Sequence, residues 1–201
     1  MMLNRALSTA LTWHSKRFRL NLAFDRVLTV YEVWQDDLLD DDARLGLTFD
    51  LLIRSGRCRR QIAHEAPGEQ AALAAQIFTD FINPKPRPGT GRRRAFDFQR
   101  DSDYIYASFL TDYGIDLLKE RGRMDWRRFL ALFQGLTDRT KMAQVMDIRL
   151  REIPAPDQYN AKERAALMEA KRYYALEGSE GEGIQDGLAD LFGALKKWAT
   201  M

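Results

Sequence analysis

A mainly α-helical domain of about seven to eight helices, with a small N-terminal β-hairpin packed on it, is predicted by three observations in this sequence. Apolar residues recur at helical spacing in most segments from Phe24 onward, whereas strict alternation occurs only near the N-terminus. Asp, Ser, Thr, Pro and Gly fall where helix ends need them. The chain of 201 residues is also 45% apolar and 30% charged, an ordinary globular balance at a length that buries a substantial core.

Leu11 and Trp13 alternate with Thr12, and Phe18, Leu20 and Leu22 alternate with Arg17, Arg19 and Asn21, on either side of His14-Ser15-Lys16. This predicts a hairpin within residues 7–23. A two-stranded ribbon is not stable alone, so its Trp13/Phe18/Leu20 face must lie on helices. His14 reads as an exposed turn residue rather than a ligand. From Phe24 the period changes, and Phe24, Val27, Leu28, Tyr31 and Trp34 share one helical face. The acidic run Asp36, Asp37, Asp40, Asp41, Asp42 lacks the order of a calcium loop and reads as a cap for the next helix. That helix turns Leu45, Phe49, Leu52 and Ile53 inward and ends near Ser55-Gly56.

Arg54, Arg57, Arg59 and Arg60 surround Cys58, but no base partner accompanies the thiol, so a catalytic cysteine is not expected. A further helix from about Pro67 to Ile82 carries Ala74, Ile77, Phe78, Phe81 and Ile82 on one face. Residues 84–94, PKPRPGTGRRR, form a basic loop with no acid in it. It is either a solvated connector or a basic arm for nucleic acid or an acidic partner. Its GTG is not a phosphate-binding loop, since the required spacing and preceding strand are missing.

The stretch from Phe96 to Arg149 organises the rest. Ile105, Tyr106, Phe109, Leu110 and Tyr113 are expected to form a buried helical face, closed by Gly114 as a left-handed C-cap, with Asp116 capping the next segment. Trp126, Phe129, Leu130, Phe133 and Leu136 make the next stripe, capped by Asp125, with Arg127, Arg128 and Gln134 on the wet side. Thr137 or Asp138 is placed to cap a third helix that brings Met142, Val145 and Met146 inward before Pro154 and Pro156. Residues 160–175 read as a charged helix. Residues 1–176 are thus expected to form a single helical domain, followed by a Gly/Glu-rich linker at 177–183 and a C-terminal amphipathic helix at 184–201. Ile184, Leu188, Leu191, Phe192, Leu195 and Trp198 form the stripe of that last segment, which either docks on its own domain or enters a groove on a partner.

The chemistry is sparse. With 31 basic and 29 acidic side chains, no global field favours nucleic acid or an anionic membrane. One cysteine excludes an intramolecular disulfide and a cysteine-rich zinc site, and His14 and His64 are too few for a convincing metal centre. No catalytic motif is present, and Asp101 and Asp103, two residues apart, lie on different helix faces. Met142 and Met146 read as core filler. No catalytic, cofactor or metal residue is therefore expected, and no enzyme activity. No apolar run approaches the roughly 20 residues of a membrane span, and Asn4, Ser8, Thr9 and Thr12 interrupt any secretory signal.

The landmarks Phe24-Asp25-Arg26-Val27-Leu28, Phe96-Asp97, Asp101, Asp103, Ile105-Tyr106, Phe109, Tyr113-Gly114-Ile115-Asp116-Leu117, Trp126, Phe129, Leu132, Gly135-Leu136, Thr140 and Tyr173-Tyr174-Ala175-Leu176 together resemble the bacteriophage gene-product-fifteen family of siphophage and prophage tail-region proteins. Met124-Asp125-Trp126-Arg127-Arg128-Phe129 departs from the histidine and two tryptophans more usual there, and the 84–94 loop is longer and more basic. The resemblance implies a helical, non-enzymatic tail morphogenesis factor that acts as an assembly chaperone in the cytoplasm of the bacterial host. Its implied partners are the tape measure and the major tail protein, with a homo-oligomer also open. Ile184, Leu188, Leu191, Phe192, Leu195 and Trp198 are the candidate partner contacts. A structural component of the tail or connector is the alternative. A second alternative is a nucleic-acid-binding protein using Arg92, Arg93 and Arg94 with Arg57, Arg59 and Arg60.

Overall fold

The computed structural model describes residues 4–82 and 95–176. The 84–94 loop, the 177–183 linker and the 184–201 segment lie outside the described residues. Among those described, the fold is mainly α, with eight α-helices and an N-terminal two-stranded antiparallel hairpin. The chain divides into two compact units, residues 4–82 with 120–131 and residues 95–119 with 132–176.

The first unit begins with strands β1 (Ala10–Trp13) and β2 (Lys16–Arg19), Leu11 opposite Phe18 and Trp13 opposite Lys16. Lys16, expected in the turn, is the first residue of β2, so His14 and Ser15 alone make the reversal. Both take positive φ, 45° and 62°, as the twist of a two-residue hairpin demands. Leu11, Phe18 and Leu20 are buried and Trp13 half-buried, so the apolar face packs as predicted. Past β2, Leu20 bridges to Ile53, and the Asn21 N–H donates to the Leu52 carbonyl at 2.6 Å, stitching the ribbon to the end of a helix.

Helix α1 (Phe24–Gln35) buries Phe24, Val27 and Val30, with Leu28, Tyr31 and Trp34 half-buried. The core-facing stripe thus includes Val30, which the predicted face omitted. Asp40 caps α2 (Asp41–Leu52) by accepting from the Ala43 N–H at 2.8 Å, and Leu45, Phe49, Leu52 and Ile53 are buried as expected. The Trp34 indole joins α1 to α2 by donating to Thr48 Oγ1 at 2.8 Å. Helix α3 (Gly56–Ile62), capped by Ser55, was not foreseen. It buries only Ile62, so seven residues carry no readable stripe. Helix α4 starts at Pro67 in its first turn and runs to Ile77, then widens to a π-helix over Phe78–Ile82. The change of pitch keeps Phe78 and Ile82 buried and leaves Phe81 half-buried, where a uniform α-helix to Ile82 was expected.

Helix α6 (Trp126–Gln134) opens in this unit, and the boundary between units falls after Ala131. Asp125 Oδ1 accepts from the Arg127 N–H at 2.9 Å, the capping role assigned to it. Arg127 is not on the wet side, however. Its guanidinium pairs with Asp125 at 2.8 Å, donates to the Ser8 carbonyl at 3.0 Å and lies over the Phe81 ring.

In the second unit, α5 (Ser102–Tyr113) ends at Gly114, φ 62°, whose N–H donates to the Leu110 carbonyl at 3.0 Å. This is the left-handed cap read from the sequence. The buried face consists of Ile105, Ser108 and Phe109, whereas Leu110 is 47% exposed. Five residues past Ile105, Leu110 is turned about 140° around the helix at 100° per residue, too far for one face. At the end of α6 in this unit, Phe133 packs on Phe96 and Phe98 with ring centroids 4.6 and 5.6 Å away. Helix α7 (Lys141–Leu150) is capped by Thr140, not by Thr137 or Asp138. Thr137 instead donates its N–H and hydroxyl to Asp112 at 2.7 and 3.0 Å. Met142 and Val145 are buried and Met146 is half-buried. Helix α8 (Ala161–Tyr173) completes the unit, followed by the buried Leu176.

Candidate functional site

The candidate contacts Ile184, Leu188, Leu191, Phe192, Leu195, Trp198, Arg92, Arg93 and Arg94 lie outside the described residues. Arg57, Arg59 and Arg60 of the nucleic-acid alternative lie on α3, Arg57 and Arg60 exposed and Arg59 paired with Asp50 at 3.4 Å and donating to the Asp50 carbonyl at 2.9 Å. What the described residues supply is the framing of these segments and the polar chemistry inside each unit.

In the first unit an aromatic group gathers at the start of α6. Trp126 and Phe129 stack at 5.5 Å between centroids, Phe24 stacks on Phe129 at 5.0 Å, and Tyr31 lies 5.8 Å from Trp126. Burial pushes the Tyr31 phenol pKa well above its ordinary value. The Trp126 Nε1–H donates to the Ile82 carbonyl at 2.8 Å, a buried hydrogen bond at the last described residue before the basic loop. The same segment is tied down further by Phe24 N–H to the Met124 carbonyl at 2.9 Å, by Trp126 N–H to the Leu22 carbonyl at 2.7 Å and by Gly122 N–H to Asp25 Oδ1 at 2.7 Å. Gly122 holds φ 73°, a conformation that suits glycine.

In the second unit the organising group is Arg149. Its guanidinium meets Asp101 in a two-pronged ion pair, Nη1 to Oδ2 at 2.6 Å and Nη2 to Oδ1 at 2.8 Å, with the side chains 9% and 2% exposed. It also donates to the Tyr174 carbonyl from Nε at 2.7 Å and to the Ala95 carbonyl from Nη1 at 3.1 Å. Asp101 Oδ2 further accepts from the Asp97 N–H at 2.9 Å, and Asp97 Oδ1 accepts from the N–H groups of Gln99 and Arg100, both at 2.8 Å. A planar fork satisfies a buried carboxylate and two carbonyls at once, which lysine cannot do. Asp101 is thereby committed to Arg149, while Asp103 is exposed, so the two acids do not converge. Sequence reading assigned Arg149 no role. Forty-eight residues separate it from Asp101, and a single Arg in a charged helix leaves no periodic trace.

Beside the clasp, Lys141 Nζ donates to the Tyr174 hydroxyl at 2.7 Å and lies 4.9 and 5.9 Å from the Tyr174 and Tyr104 ring centroids. The Tyr174 hydrogen bond holds the Lys141 pKa above its usual value, against a smaller desolvation effect. Large exposed apolar side chains gather in this part of the chain: Leu150, Ile153, Tyr159, Met168 and Tyr173. In the first unit Trp13, Lys16, Phe18, Gln61, Ile62, Glu65, Glu69, Gln70 and Leu73 line a dimple with a cavity volume of about 10 Å³, space for roughly one water. His14 is exposed in its turn, stacked on Trp13, with Nε2 3.4 Å from Glu69. Among the described residues no three His, Cys, Asp or Glu side chains are grouped to hold a metal ion, and no helix is long and apolar enough to cross a membrane.

The family model described as Bacteriophage Gp15 protein matches residues 3–176, and no curated protein or solved structure matches. With most of its length covered by that match, the chain belongs to the bacteriophage Gp15 family and is a phage structural or morphogenesis protein.

Proposed function

We propose that this protein is a non-enzymatic factor of phage tail morphogenesis that assists assembly of the tape measure and tail tube in the host cytoplasm. The observation that carries this reading is family membership over residues 3–176. Proteins of the family it resembles are encoded in the tail region, between the major tail protein and the tape measure, the place otherwise held by tail assembly chaperones. A chaperone in that position coats the long helical tape-measure chain and shields its apolar surface until tube subunits replace it. Apolar contacts of modest affinity suit such an exchange. The stripe of Ile184, Leu188, Leu191, Phe192, Leu195 and Trp198 is the proposed contact.

The test is electron microscopy of lysates from a phage with this gene cleanly deleted and then complemented. Filled heads without tails, rescued by complementation, are expected; normal tailed particles would sink the reading. Mass spectrometry of purified particles then separates a chaperone, which is depleted, from a retained tail or connector subunit, which is stoichiometric. Removing residues 184–201 is expected to weaken tape-measure co-purification, and unchanged recovery eliminates that contact.

A further inference from the structure

Helix α8 is attached to the second unit in an unusual way. None of its residues from Ala161 to Tyr173 is buried, although the helix runs for 13 residues. Half-buried Leu167 and Ala170 are the apolar part of its inner side. Hydrophobic burial therefore contributes little to its docking, and an isolated helix of this length is marginal in water.

Polar contacts at its two ends hold it instead. At the start, Asn160 Nδ2 donates to the Ala155 carbonyl at 2.8 Å and the Arg164 guanidinium to the Pro154 carbonyl, both within the loop that leads in. At the far end the ties reach α7. Lys171 Nζ donates to the Arg149 carbonyl at 2.8 Å, Arg149 Nε to the Tyr174 carbonyl at 2.7 Å, and Lys141 Nζ to the Tyr174 hydroxyl at 2.7 Å. Lys141, Val145 and Arg149 follow at intervals of four on α7, so these ties run along one helical line. By contrast α5 and α7 are joined through buried groups: Ser108 Oγ accepts from the Met142 N–H at 3.1 Å, beside Phe109 and Val145, which are fully buried.

We propose that α8 is a strap that opens as a unit about a pin at Arg149 while α5 and α7 stay folded. Elements with few buried contacts open at lower free energy than the core they lie on. The pin is a set of two lysines, one arginine and one tyrosine, and the core of the unit does not depend on the lysines or the phenol. This inference goes beyond the tail-assembly reading and stands whether or not that reading holds.

Hydrogen exchange with mass spectrometry on the full-length protein tests it. Peptides from 161–173 are expected to exchange about tenfold faster or more than those from 102–113 and 141–150. Lys171→Met and Tyr174→Phe, each removing one tie, are expected to accelerate exchange in 161–173 by about threefold to tenfold and leave 102–113 and 141–150 unchanged. Protection of α8 equal to that of α5 and α7 overturns the strap, as do variants that accelerate all three together. Faster exchange of α8 that ignores both substitutions overturns the pin.

Discussion

Trp126 in the first unit and Arg149 in the second have parallel tasks. Each donates to a backbone carbonyl at an edge of the 83–94 segment, Trp126 to Ile82 and Arg149 to Ala95. They perform the task by different physics. Trp126 stabilises mainly by burying a large ring, roughly 150–250 Å² of surface, which at about 25 cal/mol per Å² is worth about 4–6 kcal/mol. Its hydrogen bond is an addition. Arg149 stabilises only because every partner is in place, since withdrawing two charges from water consumes most of their attraction. Their surroundings agree. Among the described residues, most of the buried apolar side chains belong to the first unit, from Leu11 to Phe129, while the buried polar residues Asp97, Asp101, Ser108 and Thr140 belong to the second and only Thr48 to the first. A unit built on hydrocarbon tolerates local adjustment; one built on paired polar groups fails when a single partner is lost.

Arg149→Met sharpens this contrast most. It leaves the Asp101 carboxylate buried without its counter-ion, and the expected loss is about 3–5 kcal/mol, read by urea denaturation. The double change Asp101→Leu with Arg149→Met should recover much of that loss, because neither charge then remains to be compensated. A single variant within about 1 kcal/mol of the parent would mean that the carboxylate is stabilised by its N–H donor or by water, and the contrast would fail.

Trp126→Phe is the matching change in the first unit and is expected to be milder. An aromatic ring stays in the stack with Phe129, but the Ile82 carbonyl loses its indole donor, at about 1–3 kcal/mol. The loss should appear in the same denaturation curve without a change of slope. If Trp126→Phe proves as damaging as Arg149→Met, the first unit also depends on a single polar group and the two regions are not different in kind.

The same division decides what the sequence reveals. Elements that bury hydrocarbon announce themselves by period: the Leu11/Phe18/Leu20 ribbon, the Leu45/Phe49/Leu52 stripe and the Trp126/Phe129/Phe133 stripe lie where their spacing puts them. Caps with local partners are legible too, as Asp40, Asp125 and Gly114 demonstrate. Helix α3 escaped because seven residues with one buried side chain have no period. The shift from α to π winding at Phe78 escaped because the apolar face reads the same in either pitch. Thr140 took the cap expected of Thr137 or Asp138, and Thr137 is instead claimed by Asp112, a partner 25 residues away. Arg149 is the extreme case, since its partners Ala95, Asp101 and Tyr174 are set by tertiary structure alone. Of the residues proposed for binding, Ile184, Leu188, Leu191, Phe192, Leu195, Trp198, Arg92, Arg93 and Arg94 lie outside the described residues, while Arg57, Arg59 and Arg60 sit on α3, the helix that left no period to read.

The smallest expected effect compares two left-handed positions. Ser15 adopts φ 62° in the hairpin turn of the first unit, and Gly114 adopts the same φ at the end of α5 in the second. The left-handed conformation costs an L-residue roughly 1–2 kcal/mol, so the burial of Leu11, Phe18 and Leu20 must hold Ser15 there against its preference. Glycine removes that strain but gives back about 0.5–1 kcal/mol through the freedom of the unfolded chain. Ser15→Gly should therefore stabilise by a few tenths to about 1 kcal/mol, or roughly 1–4 °C in thermal midpoint for a chain of this size. Gly114→Ala should shift the midpoint the other way by a similar amount, since a Cβ there meets no atom within 4 Å and only the backbone conformation opposes it. Opposite signs would show that packing in the first unit overrides local preference while the second unit obeys it. A Ser15→Gly variant that loses stability would mean that the turn itself favours Ser15, and the ribbon would then be held by its reversal as much as by its buried face.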